Sequence, residues 1–294
     1  MFLIIGLIAM MASVIVGFIM AGGKIVALIQ VSEFIIIGGA GFCSLLAATS
    51  MKTVMSIFKD VAGLLKPEPM NRAAYSELLQ LLYETTDLSR KQGLLALESH
   101  LERPETSSLL EQFPTFMKNH HAVAFFCDSL RLVLIGGVGT HDLSDMMDTD
   151  IEAYGEEVRR NPSLVQKIGD AMPGFGIVAA VLGVVNTMGA INGPPAVIGE
   201  KVGAALVGTF LGILLCYGVF QPISMALEFR AEAGTRYLTC LKCGIVAFAQ
   251  GLAPMMVVEF ARRTIESEVR PTFQDMDDVF RGRSMATSDS EKAA

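Results

Sequence analysis

Four long stretches of this chain carry no Asp, Glu, Lys or Arg: residues 1–23, 34–51, 171–199 and 202–227. A helix needs about 20 mainly apolar residues to cross a hydrocarbon core of roughly 30 Å, and each stretch meets or nearly meets that length. Over the whole chain 52% of residues are hydrophobic and 18% are charged. The mean hydropathy of +0.49 is too apolar for an ordinary soluble domain. The expected fold is therefore an all-α integral membrane protein with four transmembrane helices, at about 1–22, 34–51, 171–193 and 202–222.

Two further apolar stretches, Ala122 to Thr140 and Cys243 to Val258, compete for the same reading. The first carries Asp128 and Arg131 near its middle, and the second is short and holds Gln250, Gly251 and Pro254. Both are expected as buried cytoplasmic helices. Orientation follows from the basic residues, which are held on the cytoplasmic side of short loops. Residues 52–170 contain twelve of the 23 Lys and Arg and residues 228–294 contain nine, whereas the connections after the first and third spans hold one each, Lys24 and Lys201. Both connections are expected outside and both termini inside. The N-terminal stretch has no basic residue before it and no clear cleavage site after it, so it reads as a retained helix rather than a signal peptide.

The expected organisation is thus a transmembrane pair in 1–51, a cytoplasmic helical domain in 52–170, a second transmembrane pair in 171–227 and a cytoplasmic helical tail in 228–294. The end of that tail, beyond Arg281, places Ser284, Thr287, Ser288 and Ser290 among charges and reads as disordered.

The net charge of −7 argues against nucleic acid as a partner. Cys43 and Cys216 fall in spans and Cys127, Cys240 and Cys243 in cytoplasmic segments, where structural disulfides are not expected. Cys240 and Cys243 form a lone C-x-x-C without a second pair or a nearby histidine, so chance spacing on a helix explains them better than a metal site. The runs Gly38 to Gly41 and Gly136 to Gly139 match no phosphate-binding spacing, and no Walker, zinc-protease or nucleophile-elbow pattern occurs. No catalytic residue, metal or cofactor is expected, and the chain does not read as an enzyme.

After the linker marked by Pro67 and Pro69, apolar clusters such as Leu78, Leu79, Leu81 and Leu82 recur about one turn apart and predict a helix. Gly93 interrupts it, and a second short amphipathic piece, Leu94 to Leu101, ends before Arg103 and Pro104. Arg90, Lys91, Glu98 and Glu102 therefore lie on a helical hairpin whose charges, from composition alone, read as a solvated face.

Ion routes through a bilayer use buried carboxylates, histidines or bases, and none falls in the four charge-free windows. A group that is protonated during ion movement would then come from a partner helix. Gly176, Ala180, Gly183 and Thr187 recur at helical spacing in the third span, and Ala205, Gly208, Gly212 and Cys216 in the fourth, with Thr209 beside them. Small residues let helix backbones approach closely, which serves either a partner helix or self-packing of the bundle. Pro173, just after Asp170, falls in the expected first turn of the third span, where its missing N–H costs little. Pro222 lies between the fourth span and the helical stretch Ile223 to Leu238, and predicts a kink that acts as a hinge or a simple bend.

The stretches MPGFGIVAAVLGVVNTMG and ALVGTFLGILLCYGVFQPI resemble the paired third and fourth spans of the MotA flagellar-stator family, part of the MotA/TolQ/ExbB proton channels. The AGG after the first span, IIIGGAG in the second, SRKQGLLALESHLERPE in the cytoplasmic domain and the late VEFARRTIESEVRPTF extend the resemblance almost end to end. The resemblance implies a stator subunit of the bacterial inner membrane that works with MotB, whose single span carries the proton-accepting aspartate. It further implies a ring of five such subunits around a MotB dimer, and torque on the rotor protein FliG. Arg90 and Glu98 match the family's charged rotor-facing positions, and Pro173 and Pro222 match prolines tied to conformational coupling. Ala180, Thr187 and Thr209 would line the ion path. Sodium-driven relatives carry a hydroxyl where this chain has Ala180, so protons are the expected ion.

A TolQ/ExbB-type energiser is the nearest other reading, but such proteins usually have three spans. A secondary transporter would need ionisable groups and a substrate site within its spans. A purely structural scaffold would show no dependence on an ion gradient.

Overall fold

The computed structural model describes residues 2–277 together with 279 and 280, and the end beyond Arg281 lies outside them. No strand occurs among the described residues. In chain order the α-helices are α1 (Phe2–Met20), α2 (Val31–Ala48), α3 (Met51–Gly63), α4 (Arg72–Gln92), α5 (Glu98–Glu102), α6 (Pro114–Met117), α7 (His120–Ile135), α8 (Thr140–Met188), α9 (Pro195–Leu215), α10 (Gln221–Ala249) and α11 (Pro254–Arg262). The chain divides into two compact units, Met1–Pro67 with Val158–Arg230, and Glu68–Glu157 with Ala231–Ala294.

The first unit holds the membrane helices. Four helices among the described residues are long and apolar enough to span: α1, α2 with the turn before it, α8, and α9 continued into α10. The spanning stretch of α1 buries none of its residues within the chain, as suits a helix that is apolar all round. Along α2 the buried residues are Glu33, Ile37, Gly41 and Leu45, one stripe at a spacing of four. Ile37 packs with Met172, Ala179, Leu211 and Cys216, and Leu45 with Val54, Ile57, Val165 and Leu227.

Three details differ from the sequence reading. Helix α2 starts at Val31 rather than at the edge of the charge-free window, so it takes in Glu33. Helix α8 is continuous from Thr140, which makes Pro173 an interior proline and not a first-turn one, and Pro162 a second. An interior proline removes a ladder bond and costs ~3 kcal/mol or more, so tertiary packing must offset it. At Pro173 the carbonyl that loses its donor belongs to Gly169, which packs against Phe220 so closely that a Cβ there would lie 2.7 Å from the Phe220 Cβ. Beside Pro162, the buried Ser224 hydroxyl donates to the Pro162 carbonyl at 2.9 Å. The third difference is at Pro222. A π-helical turn, Cys216–Phe220, separates α9 from α10, and the Gln221 N–H reaches the Cys216 carbonyl five residues back. The wide turn absorbs the register change ahead of a proline that cannot donate to Gly218.

The second unit has its own aromatic and aliphatic core. Leu78, Leu79, Leu81 and Leu82 of α4 are all at most 2% exposed, and they join Phe113, Phe116, Phe126, Tyr237 and Ile245. Asn71 caps α4 by accepting from the Ala74 N–H, and Asn119 caps α7 by accepting from the Ala122 N–H. The two rejected apolar stretches belong here. Helix α7 buries Ala122, Phe125, Phe126 and Leu130 in this core while Arg131 pairs with Asp128 at 2.6 Å. The stretch Cys243 to Val258 is no single helix: α10 ends at Ala249, Gly251 takes a positive φ of 76°, and Pro254 opens α11.

Candidate functional site

Gly41, Gly176, Gly183, Gly208 and Gly212 bring α2, α8 and α9 together. A Cβ on Gly176 would lie 2.8 Å from the Gly208 carbonyl oxygen and 3.2 Å from the Gly212 Cα. One on Gly212 would lie 2.5 Å from the Met172 carbonyl oxygen, and one on Gly183 would lie 2.6 Å from the Ala205 Cβ. The small-residue stripes of the third and fourth spans thus serve packing of α8 on α9, backbone against backbone. Gly41 makes the matching room for the Met172 side chain on the α2 side.

Of the expected ion-path residues, Ala180 and Thr209 are half-buried and lie along this same α8–α9 seam. The Ala180 amide nitrogen approaches Gly208, and the Thr209 Cα approaches Gly176. Thr187 sits about 10 Å further along α8, two turns away. It is 1% exposed, and its hydroxyl donates to the Gly183 carbonyl at 2.8 Å. Pro173 and Pro222 are half-buried on α8 and α10. The Gly169–Phe220 approach lies one turn before Pro173 and two residues before Pro222, so one packing contact links the two proline sites.

Arg90 and Glu98 belong to the second unit. Arg90 is exposed in the last turn of α4, where its guanidinium donates to the Gly251 carbonyl at 3.4 Å. Gly93 ends that helix with φ of 90°, a short 3-10 turn Leu94–Leu97 follows, and Glu98 is exposed at the start of α5. Leu97 and Leu101 anchor this hairpin in the core at 1% and 2% exposure. Helix α11 packs beside α4. On it Glu259 pairs with Arg262 and Arg263 at 2.8 and 2.7 Å, and the Arg262 hydrogen bond above all holds the Glu259 carboxyl below the usual carboxylate range. A depressed carboxyl contributes stability above that range and loses it as pH falls through its folded value.

Cys240 and Cys243 belong to no group of three or more metal-ligating side chains among the described residues. Cys240 is fully buried and its thiol donates to the Ala261 carbonyl at 3.3 Å, which makes it a packing residue of the α10–α11 contact.

Sequence reasoning passed over Glu33. Its side chain is buried against Gly208, where a Cβ would lie 2.4 Å from Glu33 Oε2, and that oxygen has no hydrogen-bond partner. The signal was present: Glu33 heads the same spacing-of-four stripe as Ile37, Gly41 and Leu45. At the same end of the spans, a cavity of about 800 Å³ is lined by Phe18, Lys24, Gln30, Glu200, Gly203 and Val207, among others.

Residues 4–93 match the motility protein A N-terminal family, and residues 117–238 match the MotA/TolQ/ExbB proton channel family. Motility protein A of Salmonella typhimurium is 34% identical over 281 residues, which cover 96% of this chain and 95% of that protein. The chemotaxis protein LafT of Vibrio parahaemolyticus is also 34% identical, over 93% of this chain and 96% of its own length. Among solved structures, the C. jejuni MotAB structure shares the fold with a TM-score of 0.72 and 22% identity, covering 90% of this chain and 95% of the matched one. The flagellar MotAB stator complex of Bacillus subtilis gives 0.70 and 21%, covering 87% and 92%. With four spanning helices, glycine-packed third and fourth spans and near full-length similarity, the chain is a multi-pass membrane protein of the motility protein A family, the flagellar-stator branch of the MotA/TolQ/ExbB proton channels.

Proposed function

We propose that this chain forms, with MotB, a proton-conducting stator complex of the bacterial inner membrane that converts proton-motive force into ring rotation and torque on FliG. Five copies surround a MotB dimer, with both termini and the domains of residues 52–170 and 228–294 in the cytoplasm. The observation that carries this reading is the α8–α9 seam. Glycine contacts bring its two backbones together, its two helices have no charged residue from Ala171 to Gly199 or from Val202 to Leu227, and Ala180 and Thr209 lie along it.

Such a seam offers a moving partner carboxyl small and polar neighbours, and neither of its two helices brings a charge of its own to it. When a proton neutralises the MotB aspartate, that side chain loses its preference for a polar contact such as Thr209, and the ring steps past it. One charge crossing the membrane releases roughly 2.3 kcal/mol per 100 mV, enough to bias a rotation between near-equal packings. Ala180 favours protons over sodium, because a dehydrated sodium ion needs oxygen ligands and a methyl group supplies none. The proline sites at 173 and 222, linked through Gly169 and Phe220, carry the seam's changes along α8 and α10. On this reading the chain acts as a motor subunit rather than as an enzyme.

Deletion of the chain is expected to leave cells flagellated but non-motile, and restoring it to restore swimming. Motility indifferent to the deletion would favour a TolQ/ExbB-type energiser instead. Arg90→Glu or Glu98→Lys is expected to cut torque severely with membrane level and MotB co-purification unchanged. Loss of assembly in those variants would show that the two charges are structural.

A further inference from the structure

The stator reading leaves a buried carboxyl of the spans, that of Glu33, unused. Glu33 is 4% exposed in the isolated chain, so this chain's own helices cover it and no partner polypeptide is needed to bury it. Its Oε2 has no hydrogen-bond partner. A charged oxygen in that position gives up its hydration without a hydrogen bond in return, a penalty that falls on the ionised form of the group. No counter-charge faces it from the packed helices: α8 has none from Ala171 to its end, and α9 has only Glu200 and Lys201, about two turns before Gly208. Lys24 lies in the connection between α1 and α2. A bound metal cation fits poorly, since the other atoms around the Gly208 Cβ position are the Ala179 methyl and the Ala180 amide nitrogen, which are not oxygen ligands.

Two features lie near Glu33 in the sequence and the packing. The cavity of about 800 Å³ is walled by Gln30, one turn before Glu33, and by Gly203, Ala204 and Val207, which lead up to Gly208. On the other side stands Ala180, on the seam expected to face MotB. Gly208 itself leaves the space the carboxyl occupies.

Resting on the stator reading, we propose that Glu33 is a proton-transfer residue supplied by this chain, placed between the cavity and the α8–α9 seam, in series with the partner's aspartate. Glu33 gives its proton to the partner carboxylate. The carboxylate left behind takes a proton from hydronium in the cavity and leaves water, so one proton enters for each that passes on and no electrons move.

The test uses the full complex with MotB, reconstituted in vesicles and read with a pH-sensitive dye. Glu33→Gln keeps the shape and removes the exchangeable proton. It is expected to lower proton flux at least tenfold with MotB co-purification unchanged, while Glu33→Asp retains part of the flux with a displaced dependence on the pH of the cavity side. Infrared spectra of the wild-type complex at neutral pH are expected to show a protonated-carboxyl band that Glu33→Gln lacks. Wild-type flux in Glu33→Gln, or no such band in the wild type, overturns the proposal. Should Glu33→Gln fail to assemble, Glu33→Asp carries the test, because its band moves if Glu33 holds the proton and stays in place if it does not. A wild-type complex that conducts sodium and not protons would instead overturn the ion assignment of the stator reading, with Glu33 still judged by the band.

Discussion

Gly212→Ala is expected to strip most of the folded, MotB-competent protein from the membrane. The added methyl would sit 2.5 Å from the Met172 carbonyl oxygen and 3.0 Å from the Gly176 Cα, both backbone atoms that no rotamer change can move. Overpacking a close-packed interior typically costs ~1–3 kcal/mol, and a clash with backbone on the facing helix belongs at the upper end. Gly176→Ala meets the same helix pair from the other side and is expected to behave alike. Gly203→Ala is the control, since nothing lies within 4 Å of its added Cβ. Thermal aggregation of the detergent-solubilised complex, with MotB co-purification, checks all three. Equal melting of Gly212→Ala and Gly203→Ala would mean that α8 and α9 do not touch as described.

The second large effect lies in the other unit. Phe126→Ala removes a ring that is 1% exposed and packs edge-on against Phe116 with centroids 5.7 Å apart. Truncating a buried phenylalanine costs ~3–5 kcal/mol, a large share of the ~5–15 kcal/mol that holds a typical domain together. Limited proteolysis of the solubilised chain is expected to cut the 68–157 region of Phe126→Ala far faster than wild type. Leu95→Ala, at a position 75% exposed, is expected to change stability by less than ~0.5 kcal/mol. Similar digestion of Phe126→Ala and Leu95→Ala would contradict a core built around the Phe116–Phe126 pair.

What could be read in advance followed from physics that acts along one segment at a time. Charge-free length located the four spanning helices, because lipid penalises charge wherever it falls in the sequence. Gly93 announced its helix boundary, because a positive φ is a local property, whereas Gly251 and Pro254 served only to reject a span and the break they make between α10 and α11 was not read. The stretch at 122–140 was separable from a span because Asp128 and Arg131 sit within it. Features that depend on what packs against a segment were harder to see. The length of α8 was hidden because Pro162 and Pro173 argue locally for breaks, while the contacts made at those sites, such as Ser224 on the Pro162 carbonyl and Phe220 on Gly169, come from residues far away in the sequence. The purpose of the glycine stripes stayed open because only the packing brings Gly176 onto Gly208 and Gly212, and Gly183 onto Ala205. Glu33 was missed for a simpler reason. Counting charges treats a carboxylate as the end of a span, whereas the stripe through Ile37, Gly41 and Leu45 carries it inside the bundle. The π turn before Pro222 has no signature in composition at all, since it reflects a register conflict between two helices.

The most direct measurement is the rotation speed of tethered cells carrying this chain and its MotB, recorded first while external sodium is varied and then while the proton gradient is collapsed. Speed indifferent to sodium and lost with the proton gradient is the expected result for a stator whose path presents Ala180 rather than a hydroxyl. Speed that follows sodium and survives loss of the proton gradient would contradict it.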